Sequence, residues 1–357
     1  QFKNGSFSGV GYERPTRTRT FEPLEAIVSC DVYDNANTAA KFNETLWKLN
    51  GQVAEYNLCT TAPSLHVAVI DPATMEPWGT FHNGQNTDHQ FDNVNNGSSC
   101  RDRVEYYFIF RQNSQAQLQA LDEMIVNDVP NGHYILIYSS IRGEFDDWQT
   151  HHPNLFTTLQ NMGSDSIQVG MDNRAFIFLT RKGDPSSTQE VFAQYPGEFI
   201  NLTATINGSA DSGVERSTLI GPSAEWETLY WKQEPSENPT DDKTTLRIKA
   251  LDWNKSVQME IDTTFTLIDS IVNLNNLIPA NQYPYLQLEA RYKDTVNSTP
   301  AQVNRWHVLY QTLPEAAIDG SNGHVFTPVS QDSLQEGVDV SFAVDVKNIS
   351  HLNMDSL

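Results

Sequence analysis

The alternation of apolar and polar positions divides the chain into two parts with different periodicity. Before about residue 195, short apolar runs alternate with segments of helical spacing, and beyond Pro196 apolar residues recur at every second position. The runs of the first part predict strands over 26–32, 46–53, 65–70, 105–110, 134–138 and 175–179.

Two helices are predicted between these strands. Leu118, Leu121 and Ile125 follow Ser114 at helical spacing, and Ser is a preferred residue at a helix start. A second amphipathic segment covers 155–162 and is followed by Gly163, which accepts the left-handed conformation that ends a helix. The first part therefore predicts one α/β or α+β domain over residues 21–195.

The second part predicts a different architecture. Alternating residues over 200–206, 246–248, 257–261, 286–290 and 306–310 are typical of half-buried strands in a jelly-roll β-sandwich. We expect this domain to cover 196–318, after an N-terminal arm of residues 1–20. Residues 319–357 contain one more alternating stretch, 338–346, and are expected to be a linker and the first strands of an immunoglobulin-like module. The predicted class is mainly β with one α+β domain.

The charge balance excludes several partners. The chain has 23 Lys and Arg against 45 Asp and Glu, a net charge of −22. Nucleic acid and anionic membranes are bound by basic surfaces, so neither is an expected partner. No apolar run approaches the roughly 18 residues of a membrane span, so no membrane insertion is expected.

The cysteines and sequons are compatible with an exported protein. Of three cysteines, Cys59 and Cys100 lie in polar loops and are predicted to form a disulfide, which leaves Cys30 as a buried thiol. Eight Asn-x-Ser/Thr sequons are present, which is compatible with export but does not require it.

The residues indicate recognition more strongly than catalysis. His66 stands in a predicted strand near Cys59, but a histidine that alternates with Val67 and Val69 is more often a half-buried strand residue than a catalytic base. No G-x-S-x-G, H-E-x-x-H or phosphate loop is present. We therefore expect no catalytic residue in this chain.

A metal site is a second possibility for the loops. Asp146, Asp147 and His151 are candidate metal ligands, although a solvated loop with acidic residues at a helix start is the favoured explanation. Asp241 and Asp242 form another acidic loop that suits calcium. No cofactor is expected, other than a structural Ca²⁺ at such a loop.

Carbohydrate is the ligand class that the residues favour. A sugar stacks its apolar face on an aromatic ring, and amide or carboxylate groups bind its hydroxyls. Trp253, with Asp252 and Asn254, lies between two predicted strands, and the same logic selects Trp78 and Trp148, with Asp147 beside the latter. Packing in the core is the alternative for each indole.

Several segments carry a resemblance to known families. SLHVAVIDPATMEPW, VPNGHYILIYSS, LFTTLQNMGS and DNRAFIFLTRKG occur in this order, and the region 21–195 resembles the interleukin-like inducer family of epithelial–mesenchymal transition. The chain is also similar to the region downstream of the peptidase unit in gingipain-type proteins of Bacteroidota, through RTRTF, IGPSAEWETLYW, YPYLQLEARYKD, RWHVLY and FAVDVKNISHLNMDSL. This second resemblance implies an extracellular or cell-surface protein exported by type IX secretion machinery.

The sequence thus predicts a non-catalytic binding or scaffolding fragment of a bacterial surface protein. Its expected partner is a glycan, foremost for the first domain, or a surface protein. Two alternatives stay open: an accessory region that positions substrate or assists export for a gingipain-type cysteine peptidase, and a structural subunit of a surface assembly.

Overall fold

The structure is a computed structural model in which two compact units can be described. It describes residues 6–14, 16–33, 45–56, 62–80, 90–93, 104–238, 241–264, 267–319, 325–327, 337, 341–351 and 353–354. One unit is formed within residues 22–210, and the other combines residues before 22 with those after 210. These units differ from the predicted domains, because residues before 22 join the second unit and residues 196–210 belong to the first.

Strands dominate both units, which confirms the prediction of a mainly β chain. In chain order the strands of the described residues are β1 (Ser6–Ser8), β2 (Val10–Glu13), β3 (Thr18–Phe21), β4 (Pro23–Tyr33), β5 (Leu46–Leu49), β6 (Gln52–Tyr56), β7 (Ser64–Ile70), β8 (Phe108–Arg111), β9 (Tyr134–Ser140), β10 (Phe176–Arg181), β11 (Asp184–Phe192), β12 (Phe199–Ser209), β13 (Ser212–Arg216), β14 (Ser223–Glu234), β15 (Lys243–Leu251), β16 (Val257–Thr264), β17 (Ile268–Val272), β18 (Tyr285–Lys293), β19 (Gln302–Thr312), β20 (Ala316–Asp319), β21 (Val325–Thr327), β22 (Ser341–Ala343) and β23 (Asp345–Asn348).

The helices are short. The described α-helices are α1 (Gln115–Glu123), α2 (Phe145–His151), α3 (Asn154–Asn161) and α4 (Leu274–Leu277), and a π-helical segment, Met124–Asp128, extends α1. Both predicted helices, α1 and α3, are present. None of the described helices is long and apolar enough to cross a membrane.

The unit within residues 22–210 has three layers. Its central antiparallel sheet has the order β11-β10-β9-β7-β8, and every residue of β7 and β9 is buried. On one side the sheet packs against α1, α2 and α3. On the other side it packs against a four-stranded antiparallel sheet of order β12-β4-β5-β6. Because both faces are covered, the strands read as continuous apolar runs, as expected for a buried sheet.

The pairing of β12 moves the predicted domain boundary. Residues 200–206 were expected to begin the second domain at 196, but β12 pairs with β4 along its whole length, from Phe199 opposite Tyr33 to Ser209 opposite Pro23. Its apolar side contributes Ile200, Leu202, Ala204 and Ile206 to the first unit's core. The strand therefore completes the first unit, which ends near residue 210.

One predicted strand is in fact two. The stretch 46–53 forms β5 and β6, which pair as an antiparallel hairpin. Asn50 and Gly51 connect them, with φ of 51° and 78°. Positive φ at two adjacent residues is typical of the tight turns that join hairpin strands, and Asn-Gly is the pair that adopts it most readily.

The second unit contains two antiparallel sheets. The five-stranded sheet has the order β1-β13-β18-β15-β16, and the three-stranded sheet has the order β17-β14-β19. In β15 and β18 buried and more exposed residues alternate almost strictly. The predicted alternation thus produces a sheet with one apolar face and one polar face.

The N-terminal residues belong to this unit, which corrects the prediction of an arm over 1–20. β1 pairs with β13, and Arg19 is buried. Nε of Arg19 donates a hydrogen bond to Oε2 of Glu215 at 2.7 Å, and Oη of Tyr292 donates to the same oxygen at 2.8 Å. Nη1 of Arg19 also donates to the Val303 carbonyl at 2.6 Å. A buried ion pair with this many partners fixes the N-terminal strands to the unit.

The C-terminal strands are short. β20 pairs with β23, and β21 pairs with β22. The strand predicted over 338–346 lies partly outside the described residues, and its described part is divided between β22 and β23.

Candidate functional site

The first candidate indole, Trp148, is a core residue. It was predicted to stand in a loop, but it lies in α2, and its exposed fraction is 0%. Its Nε1 donates a hydrogen bond to Oε1 of Gln112 at 3.0 Å, and its ring packs against Phe145 with centroids 4.7 Å apart. The ring therefore offers no face to a sugar, and its glycan-binding assignment is wrong. The signal that was missed is that Phe145 and Trp148, three residues apart, lie on one helix face.

Trp78 is half-buried and engaged in packing. Its ring stacks on Phe91 with centroids 6.0 Å apart and meets the edge of His133 at 5.5 Å. The ring also packs against the core below the helices. Burial lowers the pKa of His133, which keeps this neighbour in its neutral form. Trp78 thus presents only part of its ring to solvent.

The three predicted metal ligands, Asp146, Asp147 and His151, do not form a cluster of ligand atoms in the described part of the chain. Asp146 and Asp147 lie in the first turn of α2, and His151 lies in its last turn. Oδ1 of Asp146 accepts a hydrogen bond from the Gly170 amide at 2.9 Å. The positions of Asp146 and Asp147 match the helix dipole, which favours carboxylates at the helix start.

A different acidic group has the closest arrangement of ligand atoms in the described part of the chain. Glu237, Asp242 and Asp294 place one carboxylate oxygen each within 4.8 Å of one another. Asp242 belongs to the acidic loop that the sequence suggested for calcium. Such oxygens are ligands that Ca²⁺ accepts.

Backbone amides of the loop after β18 hold one member of this acidic group, Asp294. The carboxylate of Asp294 accepts the amides of Val296, Asn297 and Thr299 at 2.9 to 3.1 Å. Burial disfavours the ionised carboxylate, but these amides outweigh it and lower the pKa of Asp294. Asp294 therefore organises the loop after β18.

The third indole, Trp253, has the predicted exposed position. It lies in the turn between β15 and β16, and its exposed fraction is 57%. Oδ1 of Asp252 accepts the Ser256 amide at 2.9 Å, and Oδ2 accepts Nε2 of Gln258 at 3.0 Å. The carboxylate of Asp252 thus holds the turn, whereas Asn254 beside it is exposed.

Trp253 is oriented by a second aromatic ring. Its ring meets that of Tyr285 edge to face, with centroids 6.1 Å apart and an interplanar angle of 84°. Nζ of Lys255 lies 5.7 Å from the centre of the Tyr285 ring, a cation–π distance. The two rings and the ammonium group form an amphipathic cluster that we call the aromatic turn: Asp252, Trp253, Asn254, Lys255 and Tyr285.

The aromatic turn adjoins the polar face of the five-stranded sheet. Side chains two apart on a strand share a face, so Tyr285 lies on the same side as Gln287, Glu289, Arg291 and Lys293. We call this side the outward face. Strand register adds the following residues from the neighbouring strands: Ser212, Val214, Arg216, Lys243, Thr245, Arg247, Lys249, Glu260, Asp262 and Thr264.

Glu289 is the centre of the outward face. Its carboxylate lies 2.7 Å from Nε of Arg216 and 2.8 Å from Nζ of Lys249, and a third cation, Arg291, approaches to 2.6 Å. Burial raises the pKa of a carboxyl group, but hydrogen bonds from Lys249, Arg216 and Arg291 reverse this and lower the pKa of Glu289 to about 2. Glu289 therefore stays ionised and holds three cations in place.

A second ion-pair cluster lies one strand away. Nε and Nη2 of Arg247 donate to the two carboxylate oxygens of Asp262 at 2.5 and 2.7 Å. Nη1 donates to Glu260 at 2.8 Å. This bidentate geometry orders a charged surface that would otherwise sample many rotamers.

The grouping of charged residues on the outward face was not predicted from the sequence. The cations converge from β13, β15 and β18, which are distant in sequence, so their proximity depends on strand order. The available signal was the alternation in YLQLEARYK, where Glu289 and Arg291 occupy the polar positions.

The cysteine predictions have different outcomes. Cys30 is a buried free thiol, as predicted, and burial raises its pKa well above the usual range. A thiol in this state is a poor nucleophile. Cys59 and Cys100, predicted to form a disulfide, lie outside the described residues.

Comparisons with family models, with curated proteins and with solved structures found no match to this chain. The resemblances to the inducer-like and gingipain-type regions stay predictions. The functional argument consequently rests on the aromatic turn and the outward face.

Proposed function

We propose that this chain is a non-catalytic binding region of a secreted or cell-surface protein and that its ligand is a glycan. The observation that carries the proposal is the exposure of Trp253 on an ordered turn at the end of a polar sheet face. Tryptophan is highly buried on average and is enriched at interfaces, because its ring contributes a large apolar area to a contact.

The aromatic turn has the groups that sugar recognition requires. An indole face stacks on the apolar side of a pyranose ring, and nearby polar groups bind the hydroxyls. The amide of Asn254 is exposed and available for this role, whereas the carboxylate of Asp252 is occupied by the turn. Trp253 is therefore the stacking residue, Asn254 a hydroxyl-binding residue, and Asp252 a positioning residue.

The finer architecture belongs to the same proposal. We infer that the two antiparallel sheets of the second unit form a jelly-roll sandwich, as the sequence alternation predicts. An inducer-like first unit, the start of an immunoglobulin-like module and export by type IX machinery follow from the resemblance. A surface location would bring the chain into contact with glycans.

A glycan array tests this function. The full chain, labelled at a terminus, is applied beside Trp253→Ala and beside Tyr195→Ala, which removes an equally exposed aromatic ring from the other unit. We expect the wild type and Tyr195→Ala to bind the same glycans and Trp253→Ala to lose about five- to thirtyfold in affinity, since one stacked sugar contributes on the order of 1–2 kcal/mol. A wild type that binds no glycan, or an unaffected Trp253→Ala, would refute the proposal.

A further inference from the structure

The charge of the outward face is opposite to that of the whole chain. The outward face itself has six cationic side chains, Arg216, Lys243, Arg247, Lys249, Arg291 and Lys293, against three acidic ones, Glu260, Asp262 and Glu289. Six against three leaves a net charge of +3 in a chain whose net charge is −22. With only 23 basic residues available, this concentration on one sheet face creates a local positive potential.

Two of the cations face each other across neighbouring strands. Lys243 on β15 and Lys293 on β18 are directly opposite in the strand register. Both are exposed, and neither makes an ion pair with any other described residue. Like charges in opposite positions destabilise a sheet, so the pair has no stabilising role of its own. Asp241, Thr295 and Val296 line a small depression together with these two lysines.

The remaining cations are only partly neutralised. Glu289 supplies one negative charge to three partners, and the side chains of Arg216 and Arg291 remain 36% and 41% exposed. An open depression of about 490 Å³ lies beside them, lined by Ser8, Ser212, Arg216, Glu289, Arg291 and Lys293 among others. Its hydroxyl and cationic groups can donate hydrogen bonds to an anion.

We propose that the glycan bound by this chain is anionic and carries carboxylate or sulfate groups. It lies along β18 on the outward face, with one sugar on Trp253 and Tyr285 and its charged groups at Arg216, Arg291 and the Lys243–Lys293 pair. Eight residue steps along a strand give this track a length of about 27 Å, which suits an extended oligosaccharide. This inference rests on the proposed function and adds the chemistry of the ligand to it.

The test compares charged and neutral polymers on one set of variants. Binding of the full chain to immobilised heparin, polygalacturonate and neutral dextran is measured at 50 and 200 mM NaCl. The variants are Lys243→Gln with Lys293→Gln, a control pair Lys232→Gln with Lys347→Gln that removes the same charge from other strands, and Trp253→Ala. The lysines of both pairs are surface side chains, so all variants are expected to fold.

We expect the chain to bind at least one anionic polymer, with an affinity that falls as the salt concentration rises. Binding releases counterions from the polymer, and added salt opposes this release. The Lys243–Lys293 variant should lose about five- to tenfold in affinity, and the control pair less than about twofold. Trp253→Ala should also weaken binding, since the polymer chain stacks there.

Each other outcome overturns the inference in a distinguishable way. Binding to neutral glycans that depends on Trp253 but not on the lysines refutes an anionic ligand and leaves the proposed function intact. Failure to bind any glycan refutes both. Equal binding to single-stranded DNA or polyglutamate, without dependence on Trp253, shows that the face recognises charge alone.

Discussion

The two five-stranded sheets of this protein differ in how their faces are covered. In the sheet of the first unit, each residue of the central strand β9 is buried, because helices cover one face and a second sheet covers the other. In the sheet of the second unit, β15 and β18 largely alternate between buried apolar residues and partly exposed charged or polar ones, with Glu289 as a buried exception on the polar side. Both sheets are antiparallel, so strand direction does not explain this difference in burial. The number of covered sheet faces does.

This difference explains where a ligand can bind. A sheet covered on both faces has no surface left for recognition, and its side chains serve packing. A sheet covered on one face can carry a recognition surface on a rigid scaffold. The outward face and the aromatic turn occur on the sheet that has a free face.

The largest expected effects come from Asp substitutions that place a carboxylate on each face of the two five-stranded sheets in turn. Leu136→Asp and Ile137→Asp are neighbours on β9 that point to different faces, and both should destabilise the first unit by several kcal/mol, on the order of 4 or more, because each buries an unpaired carboxylate. In the second unit, Ile248→Asp on the apolar face should cost a similar amount. The free energy of unfolding from urea titration gives each value.

The matched control is Thr245→Asp, on the outward face beside β18. It should change stability by less than about 1 kcal/mol, since this face is partly exposed and rich in cations. If Leu136→Asp or Ile137→Asp were as mild as Thr245→Asp, one face of the first sheet would be accessible and the comparison would fail.

The sequence predicted single elements well because periodicity is a local property. The strands β4, β7, β9 and β10 and the helices α1 and α3 lie where apolar spacing placed them. Partner choice was not predictable: the alternation in β12 is the same whether it joins β4 or a later strand. The N-terminal strands were missed for the same reason, since the burial of Arg19 depends on Glu215, 196 residues away.

The site residues also divide into those that local sequence predicts and those that depend on distant strands. The exposure of Trp253 was predictable because a turn between two alternating strands is local information. Trp148 was assigned wrongly because the short helix α2 was taken for a loop. The grouping of Arg216, Lys249 and Arg291 around Glu289 requires the strand order, which no local pattern contains.

Acid should distinguish the outward face from ordinary surface charge. The folded pKa of Glu289 is about 2, against an ordinary value of 4.5. A depressed pKa contributes stability that is complete above about pH 4.5 and is lost as the pH falls towards 2. We expect a loss on the order of 1–3 kcal/mol over this interval, reduced from the full pKa difference because its cationic partners are solvent-exposed in part.

The variant Glu289→Gln should lack this acid-dependent component and should be less stable than the wild type at pH 7 by a similar amount. Urea titrations of both proteins between pH 2.5 and 7 measure it. Asp262→Asn, which alters an exposed carboxylate of the same face, should show a smaller pH-dependent difference. If the free energy of unfolding varied with pH in the same way for wild type and Glu289→Gln, the ion pairs of Glu289 would contribute no acid-dependent stability.

The smallest effect on stability is expected at the residue with the largest expected effect on binding. Trp253→Ala should change the free energy of unfolding by no more than about 0.5 kcal/mol, because the indole is mostly exposed and the turn is held by Asp252. Trp226→Ala, a buried indole in the same unit, should cost about 3–5 kcal/mol. Urea titration of both variants measures the contrast. A stability loss for Trp253→Ala close to that of Trp226→Ala would assign the indole to packing, and any loss of binding would then report unfolding. A negligible loss would show that the indole contributes little to folding, so that a loss of glycan binding in the same variant reports the contact itself.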